Sequence, residues 1–122
     1  MPDAAAVRRL ALALPRVQDD SKPERLAFSV HGRGFAWTYM VREQPRKPRR
    51  PQLEVLAVRC DLERKEMLIE AAPDRFFDDD HYRGYPAVLV RLEVVDEAEL
   101  AGLLDQAWRN VAPRGLLRER DG

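Results

Sequence analysis

Two stretches of alternating apolar residues flank the tetrapeptide HGRG, and they restrict the fold more than any other feature. The alternating residues are Leu26, Phe28 and Val30 before it, and Phe35, Trp37, Tyr39 and Val41 after it. A period of two places such side chains on one face of a strand, and the glycines permit the positive φ angles of a tight turn. The pattern predicts an antiparallel β-hairpin whose aromatic row lies in the core. The alternative role for that row is a stacking platform for nucleic-acid bases.

Patterns on either side place the hairpin within a larger fold. Apolar residues at helical spacing follow Asp3, Asp61 and Asp96. Each aspartate is a suitable N-cap, so the pattern predicts three helices. LEVLAVRC and AVLVRLEVV are typical of two further strands. The order α-β-β-β-α-β-α does not alternate strictly. It therefore favours a two-layer α+β fold on an antiparallel sheet over a parallel βαβ architecture.

Each predicted element has an expected inward face. The last helix has an apolar stripe of Leu100, Leu103, Leu104, Ala107, Trp108 and Val111, with Asp105 on the opposite face. The inward residues are expected to be Met67, Leu68 and Ala71 in the second helix, and Val88, Val90, Leu92 and Val94 in the late strand. Pro113 ends the last helix, so we predict a single domain over residues 1–113 and a frayed tail over residues 114–122.

Composition restricts the class of protein. A chain of 122 residues, 45% hydrophobic and 34% charged, suits one globular domain. No apolar run approaches the roughly 18 residues of a membrane span, and the amphipathic start does not resemble a signal peptide. The single cysteine, Cys60, excludes an internal disulfide and fits a reducing compartment. We therefore expect a cytoplasmic protein without a membrane partner.

The formal charge is zero, but the charges are unevenly distributed. Residues 1–59 contain 12 basic and 6 acidic residues, whereas residues 60–122 contain 9 and 15. Residues 42–50, which we call the basic segment, contain Arg42, Arg46, Lys47, Arg49 and Arg50. Prolines at positions 45, 48 and 51 favour an extended backbone that projects these side chains. The basic segment is the predicted site for non-specific contacts with DNA phosphates. The alternatives are a solvated loop that aids solubility and a contact with a protein partner or a second copy.

The run DDDH at residues 78–81, the acidic turn, contains the groups of a metal site. Neighbouring residues in a loop diverge, however, whereas metal ligands must converge. We expect a solvated turn in which His81 and Tyr82 pack at the sheet edge. Cys60 is expected to be a small buried residue and not a nucleophile. With no nucleotide-binding or hydrolase motif, the sequence predicts no catalytic residue, no metal and no cofactor.

Five segments resemble the MmcQ/YjbR family, the double-wing α+β proteins. They are ALALPRVQDD, FSVHGRGFAW, AVRCDLE, HYRGYPAVLVRL and ELAGLLDQAWRNVAP, in this order along nearly the whole chain. The resemblance implies a compact α+β domain similar in topology to secretion-chaperone folds, and DNA binding by analogy of shape. The prediction is therefore a non-enzymatic binding module with nucleic acid as the leading ligand. One alternative is a protein-interaction or chaperone-like module that could act as a dimer. The other is an enzyme that acts on a small molecule in a pocket that the sequence does not reveal.

Overall fold

The computed structural model describes residues 2–41 and 50–121, whose strands form one antiparallel sheet. The helices are α1 (Ala4–Leu12), α2 (Leu62–Ala71), α3 (Glu97–Val111) and α4 (Arg114–Asp121). The strands are β1 (Gln18–Asp19), β2 (Ala27–Val30), β3 (Arg33–Val41), β4 (Arg50–Arg59), β5 (Phe76–Phe77) and β6 (Ala87–Arg91). The sheet order is β1-β2-β3-β4-β6-β5. This architecture confirms the predicted α+β class and adds two short strands and a fourth helix.

The first three helices begin at the predicted aspartates. Each side chain accepts a hydrogen bond from the backbone N–H three residues on, at 2.9 Å for Asp3, 2.8 Å for Asp61 and 2.7 Å for Asp96. These bonds satisfy donors that the first turn of a helix leaves unpaired. The cap residues therefore determine where each helix starts.

The main core lies between the helices and one face of the sheet. The stripe of α3 packs on β3 and β4, and α1 packs on α3. All six predicted residues of that stripe are buried. Trp108 is fully buried, and its Nε1 donates a hydrogen bond to the carbonyl of Pro15 at 2.9 Å. This bond ties α3 to the residues that follow α1. The burial of Trp108 is what the apolar pattern predicted.

The inward face of α2 differs from the prediction. Met67 is 63% exposed and Ala71 is exposed, while Leu68 packs half-buried against the main core. The most buried residue of this helix is Lys65, which is 3% exposed. The inward stripe therefore begins at Lys65 and continues through Leu68 and Ile69 at helical spacing. A search for apolar residues alone misses a stripe that starts at a lysine.

The late strand is shorter than predicted. Val88, Val90 and Leu92 are buried in the main core as expected, but Val94 is 47% exposed. The backbone N–H of Val94 donates to the carbonyl of Arg91 at 3.2 Å, so the chain turns after β6. Alternation ends at that turn, and Val94 points to solvent.

The predicted frayed tail is a helix in the structure. Leu116 is buried against the main core, Arg120 donates to Asp105 at 2.8 Å, and Arg109 lies 2.8 Å from Asp121. Pro113 ends α3 and directly precedes α4, which is possible because proline is tolerated where a helix begins. Within residues 2–41 and 50–121, no helix combines the length and apolarity needed to cross a membrane.

Candidate nucleic-acid interface

The sheet face opposite the helices carries a second cluster of apolar residues. Because side chains alternate across a strand, Trp37 and Tyr39 of β3 and Phe77 of β5 point away from the helices. Tyr82, from the connection between β5 and β6, is buried over this face, and Tyr85 lies beside it. We call these five residues the aromatic cluster.

A β-bulge divides the aromatic row that the sequence assigns to one face. Pairing between β2 and β3 steps from Phe28–Ala36 to Ser29–Gly34, which leaves Phe35 as the extra residue. Phe35 is fully buried toward the helices, whereas Trp37 belongs to the opposite face. The prediction of one continuous row was wrong because a single inserted residue reverses the alternation.

Trp37 is surrounded by small residues on the open face. Its partners on the two neighbouring strands are Ala27 and Ala57, and a Cβ placed on Gly34 would lie 3.8 Å from the indole ring. The indole Nε1 donates to the hydroxyl of Tyr82 at 2.9 Å. These contacts hold the orientation of the half-buried indole.

Lys65 holds the acidic turn over the aromatic cluster. Its Nζ donates to the carbonyl oxygens of Tyr82 at 2.7 Å and Tyr85 at 3.0 Å, and it lies 3.0 Å from a carboxylate oxygen of Asp78. An ammonium group has three donors, and these acceptors compensate its removal from water. The burial of this lysine therefore depends on residues remote in sequence.

The other two carboxylates of the acidic turn have partners of their own. Asp79 accepts a hydrogen bond from the hydroxyl of Tyr39 and another from the backbone N–H of Tyr82 at 2.7 Å. Asp80 pairs with Arg83 at 2.7 Å. Among the described residues, no three His, Cys, Asp or Glu side chains are grouped so that they could hold a metal ion. The acidic turn is therefore fixed beside the aromatic cluster by bonds from Lys65 and Tyr39 and by bonds within the turn itself.

Most of the basic segment lies outside the described residues. This applies to Arg42, Arg46, Lys47 and Arg49, while Arg50 is the first residue of β4 and pairs through its backbone with Val41. Residues 42–49 therefore connect two neighbouring antiparallel strands. Phosphate contact by the basic segment remains a prediction.

A cleft of about 430 Å³ opens near this end of the sheet. Tyr39, Glu54, Glu93 and Arg91 contribute to its lining. The guanidinium of Arg91 lies 4.1 Å from the ring centroid of Phe77, where a cation is favourable. The carboxylates of Glu54 and Glu93 repel a phosphate, and the guanidinium of Arg91 already contacts the ring of Phe77. This cleft is therefore a poor site for a phosphate.

Comparison with known proteins identifies the family. The YjbR family model matches residues 12–110, which is most of the chain. The chain belongs to the YjbR family. This YjbR chain is also similar in structure to a crystal structure of a Deinococcus radiodurans protein with a DUF419 domain. The two share a TM-score of 0.69 and 25% sequence identity over 94% of this chain and 82% of that one.

Two mycobacterial proteins are similar in sequence to this YjbR chain. Uncharacterised proteins of Mycobacterium tuberculosis (strain H37Rv) and Mycobacterium bovis are each 38% identical to it over 69 residues, or 56% of the chain. The match spans 54% of each relative, so the chain covers about half the length of the curated relatives that it matches. The comparisons confirm the family resemblance and the fold, and any function must be argued from the residues.

Cys60 of this YjbR chain is a buried free thiol directly after β4. Burial and, to a smaller extent, the neighbouring negative charge of Asp61 together raise its pKa to about 11. The thiol therefore stays protonated at neutral pH, and a thiol is a far weaker nucleophile than a thiolate. This environment suits a small core residue.

Proposed function

We propose that this chain is a non-enzymatic binding module whose basic segment contacts DNA phosphates without recognising the base sequence. The observation that carries the proposal is the pairing of Val41 with Arg50 at the ends of β3 and β4. The pairing means that the chain leaves the sheet just before the basic segment and re-enters it at Arg50, at the same end. Clustered cations displace counterions from DNA, and this release supplies most of the affinity in non-specific binding.

The charge of the remaining chain supports the same site. Outside the basic segment there are 16 basic and 20 acidic residues. Several described arginines have acidic neighbours, for example Arg8 at 3.1 Å from Asp19 and Arg109 at 2.9 Å from Asp105. Cations neutralised in this way attract a polyanion less strongly. The basic segment is therefore the favoured point of contact.

Fluorescence anisotropy with a labelled duplex tests the proposal directly. At about 20 mM salt, where phosphate contacts are strongest, the wild type should bind a duplex of about 20 base pairs. The variant Arg46→Ser, Lys47→Ser, Arg49→Ser, Arg50→Ser should lose this binding. A matched variant that replaces the exposed Arg64, Arg83, Arg114 and Arg118 with serine should retain most of it. The proposal fails if the wild type does not bind, or if the two variants bind equally well.

The proposed location is the cytoplasm. Cys60 is a free thiol, the state that a reducing compartment maintains. Fractionation of cells that produce the chain should recover it with the cytoplasmic proteins. Recovery in the membrane or external fraction would contradict this location.

Self-association, within a protein-interaction or chaperone-like role, is the second candidate. Leu53 is 51% exposed and lines a largely apolar cleft of about 370 Å³ together with Pro2, Ala4 and Leu92. This cleft and the opposite charges of the two halves of the sequence suit a second copy of the chain. Gel filtration with light scattering should then give a dimer mass that Leu53→Ser reduces to a monomer mass. A monomer mass for the wild type at every concentration would reject this candidate.

A further inference from the structure

We infer that a cleft beside Trp37 takes a base of single-stranded DNA, stacked on the indole. The inference rests on the proposed function for the backbone contacts and adds a site for the base. The cleft has a volume of about 350 Å³ and lies between Trp37 and the edge formed by β1 and β2. It is separate from the cleft beside Tyr39.

The shape of the cleft suits a flat ring. Its lining combines Trp37 with Ala27, Ser29 and Gly34, and these last three have small side chains. The β-bulge at Phe35 lies at this position and sends that large side chain to the opposite face of the sheet. β-Bulges often occur where a sheet is shaped around a binding site. A small-residue floor beside an indole leaves space for a planar base.

The indole is oriented before any ligand arrives. Trp37 Nε1 is held by the Tyr82 hydroxyl, and the Tyr85 ring meets the indole edge-on with 6.4 Å between centroids. Arg59 donates from Nε to the carbonyl of Gly34 at 3.1 Å, and its guanidinium lies 5.8 Å from the Tyr85 ring centroid. A stacking surface fixed in this way loses little conformational entropy on binding.

The polar rim favours a base over a phosphate inside the cleft. Asp20 lies in the lining, and its carboxylate accepts a hydrogen bond from the hydroxyl of the buried Ser29 at 2.6 Å. A carboxylate repels phosphate but can accept a hydrogen bond from the amino group of a base. Arg25, exposed at the rim, can meet the phosphate beside that base. In duplex DNA the bases are paired and stacked inside the helix, so the cleft should select a single strand.

Paired binding measurements test this inference. At one low salt concentration, a labelled single strand of about 12 nucleotides should bind more tightly than the duplex of the same sequence. Trp37→Leu should weaken single-strand binding about 10-fold or more and leave duplex binding unchanged. Ala27→Leu fills the cleft without removing the indole, and it should also weaken single-strand binding and leave duplex binding unchanged. The inference can therefore still be tested if Trp37→Leu fails to fold. Circular dichroism checks that both variants fold.

Tryptophan fluorescence gives an independent reading. Binding of the single strand should quench the emission of the wild type, because Trp37 stacks on a base. Trp37→Phe leaves Trp108, which is fully buried, as its remaining tryptophan. That variant should show no quenching.

The outcomes separate the base cleft from the basic segment. Duplex binding without a single-strand preference, or cleft variants that bind the single strand like the wild type, would overturn the inference and leave the proposed function intact. Loss of single-strand binding in the cleft variants, with none in the four-serine variant, would support the cleft and overturn phosphate contact by the basic segment. If the wild type binds neither DNA form, both proposals are wrong.

Discussion

Lys65 and Asp78 join helix α2 to the turn that covers the open face of the sheet, with Nζ 3.0 Å from a carboxylate oxygen. The Lys65 side chain is almost completely buried, whereas that of Asp78 is 30% exposed. The same turn carries Tyr82, whose hydroxyl accepts the hydrogen bond of Trp37. Lys65 is therefore linked to the position of the indole through direct contacts.

Replacing Lys65 should destabilise the fold. Lys65→Met would leave the buried carbonyl oxygen of Tyr82 without its donor, and a buried unsatisfied group costs about 1–3 kcal/mol. Urea unfolding measures this loss. Glu66→Met, at the exposed neighbouring position, is the control and should change the free energy of unfolding by less than about 0.5 kcal/mol. Equal losses for the two variants would show that the contacts of Lys65 do not contribute.

Truncation of the α3 stripe should be costly. Leu104 is 1% exposed, so Leu104→Ala should lower the free energy of unfolding by about 2–5 kcal/mol through lost burial and a cavity. The sequence pattern places Asp105 opposite the apolar stripe, which suggests a neutral control. In the structure, however, Asp105 accepts hydrogen bonds from Arg109 and Arg120, so its replacement should not be neutral. Gln106→Ala is the better control and should cost less than about 0.5 kcal/mol in a denaturant melt. A Leu104→Ala loss no larger than that of the control would contradict the packing of α3.

The two arginines at Asp105 predict a pH dependence. Burial opposes ionisation of this carboxyl, but hydrogen bonds from Arg109 and Arg120 outweigh burial and hold its pKa below the usual value. A group with a lowered folded pKa stabilises the fold above its unfolded pKa and loses that contribution as the pH falls through the folded pKa. The difference in free energy of unfolding between the wild type and Asp105→Asn should therefore be largest at neutral pH. It should decrease as the pH falls below about 4.

Urea unfolding at neutral and acidic pH measures this difference. Glu119→Gln, an exposed change on α4, is the control and should differ little from the wild type at either pH. An Asp105→Asn difference that keeps its full size in acid would show that the charge of Asp105 is not responsible.

Cys60 should resist alkylation in the folded protein. Its pKa of about 11 keeps the thiolate population low, and the side chain is buried. Iodoacetamide at about pH 8 should modify native Cys60 at least about 100-fold more slowly than a free small thiol. Urea should restore the ordinary rate. Rapid modification of the native chain would show that the thiol is exposed or activated.

The sequence alone predicts the features that depend on local patterns. Each aspartate cap acts on a backbone N–H three residues away, and the α3 stripe repeats within a single helix. Both are visible in a short window of residues. The fold class follows because the order of such elements allows few architectures.

Other features depend on residues far apart in the chain. The face on which Trp37 lies depends on a bulge, which is a property of the pairing between two strands. The burial of Lys65 depends on acceptors from residues 78–85, and the order of α4 depends on pairs between Asp105 or Arg109 and the final helix. The composition of the basic segment is plain in the sequence, but the cleft beside Trp37 requires the bulge and becomes visible only in the structure.

The salt dependence of duplex binding tests the central claim most directly. If about three cations of the basic segment contact phosphates, a plot of log affinity against log salt concentration should have a slope of about −2.7. The four-serine variant should flatten that slope to near zero, and the variant of Arg64, Arg83, Arg114 and Arg118 should keep it. Affinity should also be similar for duplexes of unrelated sequence, because phosphate contacts do not distinguish bases. A slope that is the same in the wild type and the four-serine variant would contradict the account.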